Sequence, residues 1–310
     1  MIPKPHDMNQ GFPHPKISKC SKYIDKTMAT YPHARKKFAQ HWLKNDKILG
    51  KILTAAKLKP SDRVLEIGPG TGILTSQLIS QVAAVLAVEL DRDLCEFLIR
   101  RFRSKDSFLL LQGDFLEIDA AAEIMGFPEF QNPNKVVANI PYNITGPILE
   151  KLLGTIAQPN SDPYEAIVLL VQKEVAERLY ARPGSRAFGA LSVRVQYLAS
   201  CELITPVPAS AFSPPPKVDS AVVRLYPHSQ ETPAESPQHL EKLLKLGFSA
   251  KRKMLRNNLQ SICERDQLSQ ILEQLELNPQ CRAEDIGVPQ WIQLSNLLST
   301  IEGLSSYNRL

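Results

Sequence analysis

Through the middle of the chain, apolar residues gather in short unbroken runs instead of alternating with polar ones. Val64-Leu65-Glu66-Ile67, Ala84 to Val88, Phe108 to Leu111, Val136 to Ala138 and Ala166 to Val171 have the length and content of strands buried on both faces. Residues at helical spacing separate each run from the next. The pattern therefore predicts strand–helix alternation and an α/β fold with a doubly wound, largely parallel sheet. Ahead of it, Ile48, Leu49, Ile52, Leu53 and Ala56 share one face of a helix that Asn45-Asp46 can cap. Ala190 to Ala199 fits either period. Leu203 to Val207 and Val218 to Leu225 read as strands flanking the stiff segment Phe212-Ser213-Pro214-Pro215-Pro216-Lys217. From His239 the spacing is helical, with breaks near Ala250, Asn278 and Pro289. The expected organisation is a flexible basic arm over 1–33, an α/β domain over 34–228, a linker over 229–238 and a small all-helical domain over 239–310.

In a doubly wound sheet, ligands lie at the carboxyl ends of the strands. Here those ends carry Gly68-Pro69-Gly70-Thr71-Gly72, Glu89, Gly113-Asp114 and Asn139. The glycine turn lets a ligand approach the backbone closely. A dinucleotide fingerprint needs Gly where Ile73 stands, and Glu66 would put a carboxylate near any pyrophosphate. A cationic ligand suits the turn better. Glu89 can accept from both hydroxyls of a ribose, and Asp114 from an adenine amino group. Ribose, adenine and a cation beside a carboxylate together describe S-adenosylmethionine. Asn139-Ile140-Pro141-Tyr142 adds an amide, a carbonyl aimed by Pro141 and a flat aromatic face, which suits a planar exocyclic amine.

Composition narrows the setting. The five cysteines are scattered and form no Cys-x-x-Cys pair, so neither a disulfide framework nor a metal site is expected. No apolar stretch approaches the ~18–20 residues that a bilayer requires, and no secretory core precedes the first strand. A cytoplasmic protein with no membrane partner is the expectation. Charge is uneven: up to Lys37 there are eight Lys or Arg against Asp7 and Asp25, a surplus of six in a chain of net charge +5. A basic arm ahead of a near-neutral body points to a polyanion, with RNA the usual one. Lys251, Arg252, Lys253 and Arg256 read as a second phosphate-contacting cluster at the start of a helix with no nearby acid.

The motifs in combination resemble the ribosomal RNA adenine N6,N6-dimethyltransferase family, the kasugamycin-sensitivity group of small-subunit enzymes. They are Arg35-Lys36-Lys37-Phe38-Ala39-Gln40, Glu66 to Gly72, Glu89-Leu90-Asp91, Asn139 to Asn143, Phe212 to Ser220 and Arg252 to Leu259. The resemblance implies a Rossmann-like methyltransferase sheet and S-adenosylmethionine contacts from His41, Leu43, Gly68, Glu89, Asp114 and Asn139. His41 stands where the family commonly has Asn. It implies dimethylation of N6 on two adjacent adenines in the 3′-terminal hairpin of small-subunit rRNA, within a pre-30S-type particle, by a monomer. Asn139 and Ile140 would accept from the amine, Tyr142 would stack on one face of the base, and Phe212 would approach the other. Arg35, Lys36, Lys37 and the Lys251–Arg256 cluster would hold RNA. A macrolide-resistance methyltransferase of large-subunit rRNA, or an assembly factor with secondary methylation, remain as alternatives.

Overall fold

The computed structural model describes residues 40–307, with side chains described as far as Ile301. The arm over 1–33 and the basic triplet Arg35, Lys36 and Lys37 lie outside the described residues. The first element is β1 (Trp42–Leu43), followed by α1 (Asp46–Ala56). Asn45 caps α1 by accepting from the Lys47 and Ile48 amides at 3.0 and 3.2 Å, so Ile48, Leu49, Ile52 and Ala56 turn inward. The alternation that follows is β2 (Arg63–Ile67), α2 (Ile73–Ile79), β3 (Ala84–Glu89), α3 (Arg92–Phe102), β4 (Phe108–Gln112) and α4 (Ala120–Glu123). It continues with β5 (Lys135–Asn139), α5 (Thr145–Leu153), β6 (Ala166–Gln172), α6 (Lys173–Leu179) and α7 (Ala190–Leu198). A hairpin of β7 (Ala199–Val207) and β9 (Ser220–Pro227) closes the sheet, with β8 (Phe212–Ser213) in the connection between them.

The seven-stranded sheet has the order β4-β3-β2-β5-β6-β9-β7. β2 to β6 pair in parallel, and β9 runs antiparallel to both β6 and β7. The chain steps outward from β2 to β4 and returns to β5, which opens a crevice between β2 and β5 at their carboxyl ends. β8 leaves this sheet and pairs with β1 instead, Leu43 opposite Phe212 and Trp42 opposite Ser213. Trp42 of that small ribbon lines the crevice.

Side chains alternate between the two faces of each strand. Val64 joins Ile48, Ile52 and Leu78 in one buried cluster, whereas Leu65 and Ile67 join Val136, Ile148 and Leu152 in another. The second cluster continues through Phe188 into α8 (Pro237–Gly247), α9 (Leu255–Asn258), α10 (Arg265–Gln274) and α11 (Val288–Tyr307). Trp291 is fully buried there, seated so close to Gly247 that a Cβ on that glycine would lie 2.5 Å from Trp291 Cη2.

Several expectations are revised. The ambiguous run Ala190–Ala199 divides: Ser192 Oγ accepts from the Gly189 amide at 3.0 Å and starts a helix, and Ala199 begins β7. β7 is therefore longer than the Leu203–Val207 expected, its alternation obscured by an irregularity between Leu203 and Thr205. The break expected near Pro289 falls just ahead of it: Pro289 sits in the first turn of α11, where its missing N–H leaves no bond unmade. The stretch read as a linker over 229–238 is pinned down: Gln230 Nε2 donates to Tyr197 O at 2.6 Å and the Glu235 amide to Asn296 Oδ1 at 3.0 Å. Its last two residues already belong to α8.

Candidate active site at the strand ends

A cleft of about 210 Å³ lies where the fold predicts one. Its walls include Gln40, His41, Gly68, Gly70, Glu89, Asp114, Asn139, Ile140 and Tyr142. Five of the six residues expected to contact S-adenosylmethionine therefore meet in one place. The sixth, Leu43, is buried in the core and lines a smaller cavity of about 40 Å³ behind the cleft.

The glycine turn forms the floor. Gly68, Gly70 and Gly72 all have positive φ, at 66°, 59° and 77°, a conformation that costs an L side chain of order 1–3 kcal/mol. At Gly72 space is forbidding too, because a Cβ would stand 2.7 Å from Phe102 Cε2 and 2.9 Å from Leu98 Cδ2. Arg101 braces the turn from outside, its Nη1 donating to Thr71 O at 2.6 Å.

Glu89 is held before any ligand arrives. Its Oε2 accepts from the Gly70 amide at 3.1 Å and its Oε1 from the Asp91 amide at 2.9 Å. Burial pushes its carboxyl above the usual carboxylate range, with the two backbone N–H bonds opposing that shift. One oxygen of Asp114 accepts from the Leu116 amide at 2.9 Å, which fixes the side chain at the end of β4. Glu66 lies one layer deeper, 1 % exposed, with Oε2 unpartnered. Burial drives its carboxyl up to about 8, with the Glu89 charge pushing the same way and Thr75 pulling against them.

Asn139 donates from Nδ2 to His41 O at 3.1 Å. A carbonyl can only accept, so this bond fixes the amide orientation and leaves Oδ1 as an acceptor. Tyr142 is anchored by its hydroxyl, 2.6 Å from Oγ of the fully buried Ser220. Burial raises its phenol above the ordinary value, and the Ser220 bond works against that shift. His41 stacks over the Tyr142 ring, centroids 6.0 Å apart and planes 20° from parallel. Its Nδ1 donates to Pro214 O at 2.8 Å.

Three expectations change. Phe212 is not at the cleft: its ring is 4 % exposed and belongs to the core cluster of Leu43, Leu49 and Val222, because the β1–β8 pairing turns it inward. The Lys251–Arg256 cluster does not start a helix; α9 begins at Leu255. Nor is it free of acid, since the 283–285 turn folds back and brings Glu284 Oε2 to 4.0 Å from Lys251 Nζ, which also donates to Arg186 O at 3.0 Å. Arg252 and Lys253 remain exposed. Gln40 and Ser220 are additional site residues that sequence reading passed over, although both stand inside motifs it quoted. Gln40 Nε2 reaches Asp91 Oδ2 at 3.0 Å.

The donor set fits S-adenosylmethionine. Among the described residues no Lys or Arg lines the cleft to balance a pyrophosphate. Fixed carboxylates stand at the ends of β3 and β4, and a buried one at the end of β2. A larger cleft of about 680 Å³ beside α4 and α5 lacks these features; its one lysine, Lys151, donates to the carbonyls of Phe115, Leu116 and Ile118. Among the described residues no cluster of side chains could hold a metal ion, and no helix is long and apolar enough to cross a membrane.

The chain is similar to known proteins. The family described as "Ribosomal RNA adenine dimethylase" matches residues 32–300. A "Ribosomal RNA small subunit methyltransferase A" of Trichormus variabilis is 67% identical over 264 residues, covering 85% of this chain and 97% of that one. Its namesake in Nostoc punctiforme is 65% identical over 275 residues, covering 87% and 96%. Among solved structures, a dimethyladenosine transferase from Plasmodium falciparum superposes with a TM-score of 0.66 at 29% identity, over 82% of this chain and 96% of that one. The 23S rRNA methyltransferase ErmE reaches the same TM-score at 24% identity over 83% and 99%, a likeness of fold.

Proposed function

The chain belongs to the ribosomal RNA adenine dimethylase family, and on that premise we propose that the cleft transfers two methyl groups to N6 of each of two adjacent adenines in the 3′-terminal hairpin of small-subunit rRNA. The substrate is the rRNA within an assembling, pre-30S-type particle, and the enzyme acts as a monomer in the cytoplasm. The observation that carries this reading is Asn139. With Nδ2 donating to His41 O, its Oδ1 is left as an acceptor in the cleft that Glu89 and Tyr142 also line.

Glu89 takes the ribose hydroxyls, Asp114 the adenine amino group, and the Gly68–Gly72 turn lets the ligand lie against backbone. S-adenosylmethionine supplies an electrophilic methyl on a sulfonium. Asn139 Oδ1 and the Ile140 carbonyl accept from the N6 hydrogens of the target base, which draws the nitrogen lone pair out of conjugation and aims it. Tyr142 stacks on the base. Extruding a base costs a few kcal/mol, and stacking on an aromatic returns about 1–3 kcal/mol, so the hydrogen bonds are left to orient the amine. A general base is unnecessary: N6 becomes acidic only as the new N–C bond forms and then releases its proton to solvent water, while Asn139 Oδ1 and the Ile140 carbonyl, too weakly basic to take it, only hold and aim the amine.

Arg252 and Lys253 contact RNA phosphates together with the basic arm. Such contacts position RNA without reading its sequence. The large-subunit alternative loses ground because the highly identical relatives carry small-subunit names.

Mass spectrometry of small-subunit rRNA from cells lacking this protein is expected to show loss of N6,N6-dimethyladenosine at the hairpin. Its full retention there refutes the assignment. Asn139→Ala is expected to bind immature particles yet fail to methylate them, and full activity in that variant removes the proposed mechanism.

A further inference from the structure

We propose that His41 is the second wall of the slot for the target base, the partner across the slot from Tyr142. This inference rests on the methyl-transfer reading above and adds a residue to it. The position facing Tyr142 was expected to belong to Phe212, but that ring is 4 % exposed in the core. The ring that does face Tyr142 is His41, at 6.0 Å between centroids and 20° between planes. Offset-stacked rings sit about 4.5–7 Å apart, so each covers the other while the slot holds no base.

The tethers of the two rings are unequal. Tyr142 stands in the rigid turn after β5, and its hydroxyl is bound at 2.6 Å to the fully buried Ser220. Among the described residues the His41 ring is held by one hydrogen bond, Nδ1 to Pro214 O at 2.8 Å. Carbon atoms in contact lie about 3.5–4.0 Å apart, so a base between two parallel rings needs them about 7–8 Å apart. The slot must therefore open by about 1–2 Å, and His41 is the wall that yields. Its main chain stays in place during that movement, because His41 O accepts from Asn139 Nδ2 at 3.1 Å. One residue thus joins the acceptor amide, the aromatic slot and the proline-rich connection. Phe212 acts through it as a positioning residue: its pairing with Leu43 fixes the ribbon that carries His41.

The test separates a wall for the base from a contact to S-adenosylmethionine. His41→Ala, His41→Asn and His41→Phe are compared in the full chain, with immature small subunits as substrate. Base–aromatic stacking contributes enough that His41→Ala and His41→Asn are expected to lower kcat/KM for the particle about tenfold or more. His41→Phe restores a ring without its nitrogens and is expected to recover most of that loss. In a hairpin RNA with 2-aminopurine at the target position, wild type and His41→Phe are expected to quench its fluorescence more deeply than His41→Ala. Thermal midpoints of all three variants near that of wild type show that the losses are not failures to fold.

The proposal is overturned if His41→Phe is no better than His41→Ala. It is equally overturned if calorimetric S-adenosylmethionine affinity falls in all three variants by the full activity loss. Failure of the wild-type chain to methylate the particles overturns the underlying reading instead, and the wall with it.

Discussion

Glu66 makes stability depend on pH in a direction opposite to that of most carboxylates. Its carboxyl is 1 % exposed, and burial raises it from 4.5 in the unfolded chain to about 8 in the fold. Between those values the folded chain holds a proton that the unfolded chain releases, so stability falls as pH rises through the window. The contribution is complete below about 4.5 and lost above about 8. Each unit of separation corresponds to 1.36 kcal/mol. Going from about pH 5 to about pH 9 therefore removes roughly 4 kcal/mol, to order of magnitude. The perturbation is Glu66→Gln, which has the shape of the protonated acid and cannot ionise. Thermal unfolding of both proteins, followed by circular dichroism across that range, cancels every group they share. At the acid end the two midpoints are expected to lie close together. At the alkaline end Glu66→Gln is expected to be the more stable by roughly 8–16 °C, taking about 2–4 °C per kcal/mol for a chain of this size. A difference between the midpoints that stays flat across the range refutes the reasoning.

Glu89→Ala removes two charge-assisted bonds to the ribose, about 1.5–3 kcal/mol each, and also orphans the Gly70 and Asp91 amides; calorimetry is expected to show S-adenosylmethionine affinity reduced more than about a hundredfold, and unchanged affinity means the ligand is wrongly assigned. Gly72→Ala drives a methyl group into Phe102 and Leu98 at a φ of 77° and is expected to destabilise the fold by about 1–3 kcal/mol in chemical denaturation; wild-type stability there would contradict the packing. Ser220→Ala frees the Tyr142 hydroxyl. Because that bond holds the phenol down against burial, ultraviolet titration is expected to move Tyr142 further up, while transfer to rRNA slows by about fivefold for a bond contributing about 1 kcal/mol; a titration that moves down or stays put removes the anchor.

The sheet and the cofactor half of the cleft were legible because both rest on local patterns. Runs such as Ala166–Val171 are too short for helices and have the β-branched content of strands buried on both faces, and the polar residues ending successive runs converge wherever parallel strands lie side by side. What escaped depends on pairings distant in sequence. Phe212 reads as an exposed aromatic in a proline-rich segment, and only its pairing with Leu43 turns it into the core. Glu284 is remote from Lys251 until the 283–285 turn folds back beside it. Ala190–Ala199 was undecidable by period alone; the Ser192 cap settles it. The Tyr142–Ser220 bond joins two quoted motifs that nothing in the sequence placed side by side.

The β1–β8 ribbon has a consequence for the order in which the enzyme is assembled. Nearly every residue proposed to hold the methyl donor is encoded by residue 139, but His41, the proposed wall, is latched by Pro214, 173 residues further along the chain. Contacts so remote pay their loop-closure entropy late and form after local ones. A chain emerging from the ribosome has thus written its glycine turn, Glu89 and Asn139 long before Pro214 can latch the His41 ring. On the proposed reading, the slot for the base can close only after roughly two-thirds of the chain has been made.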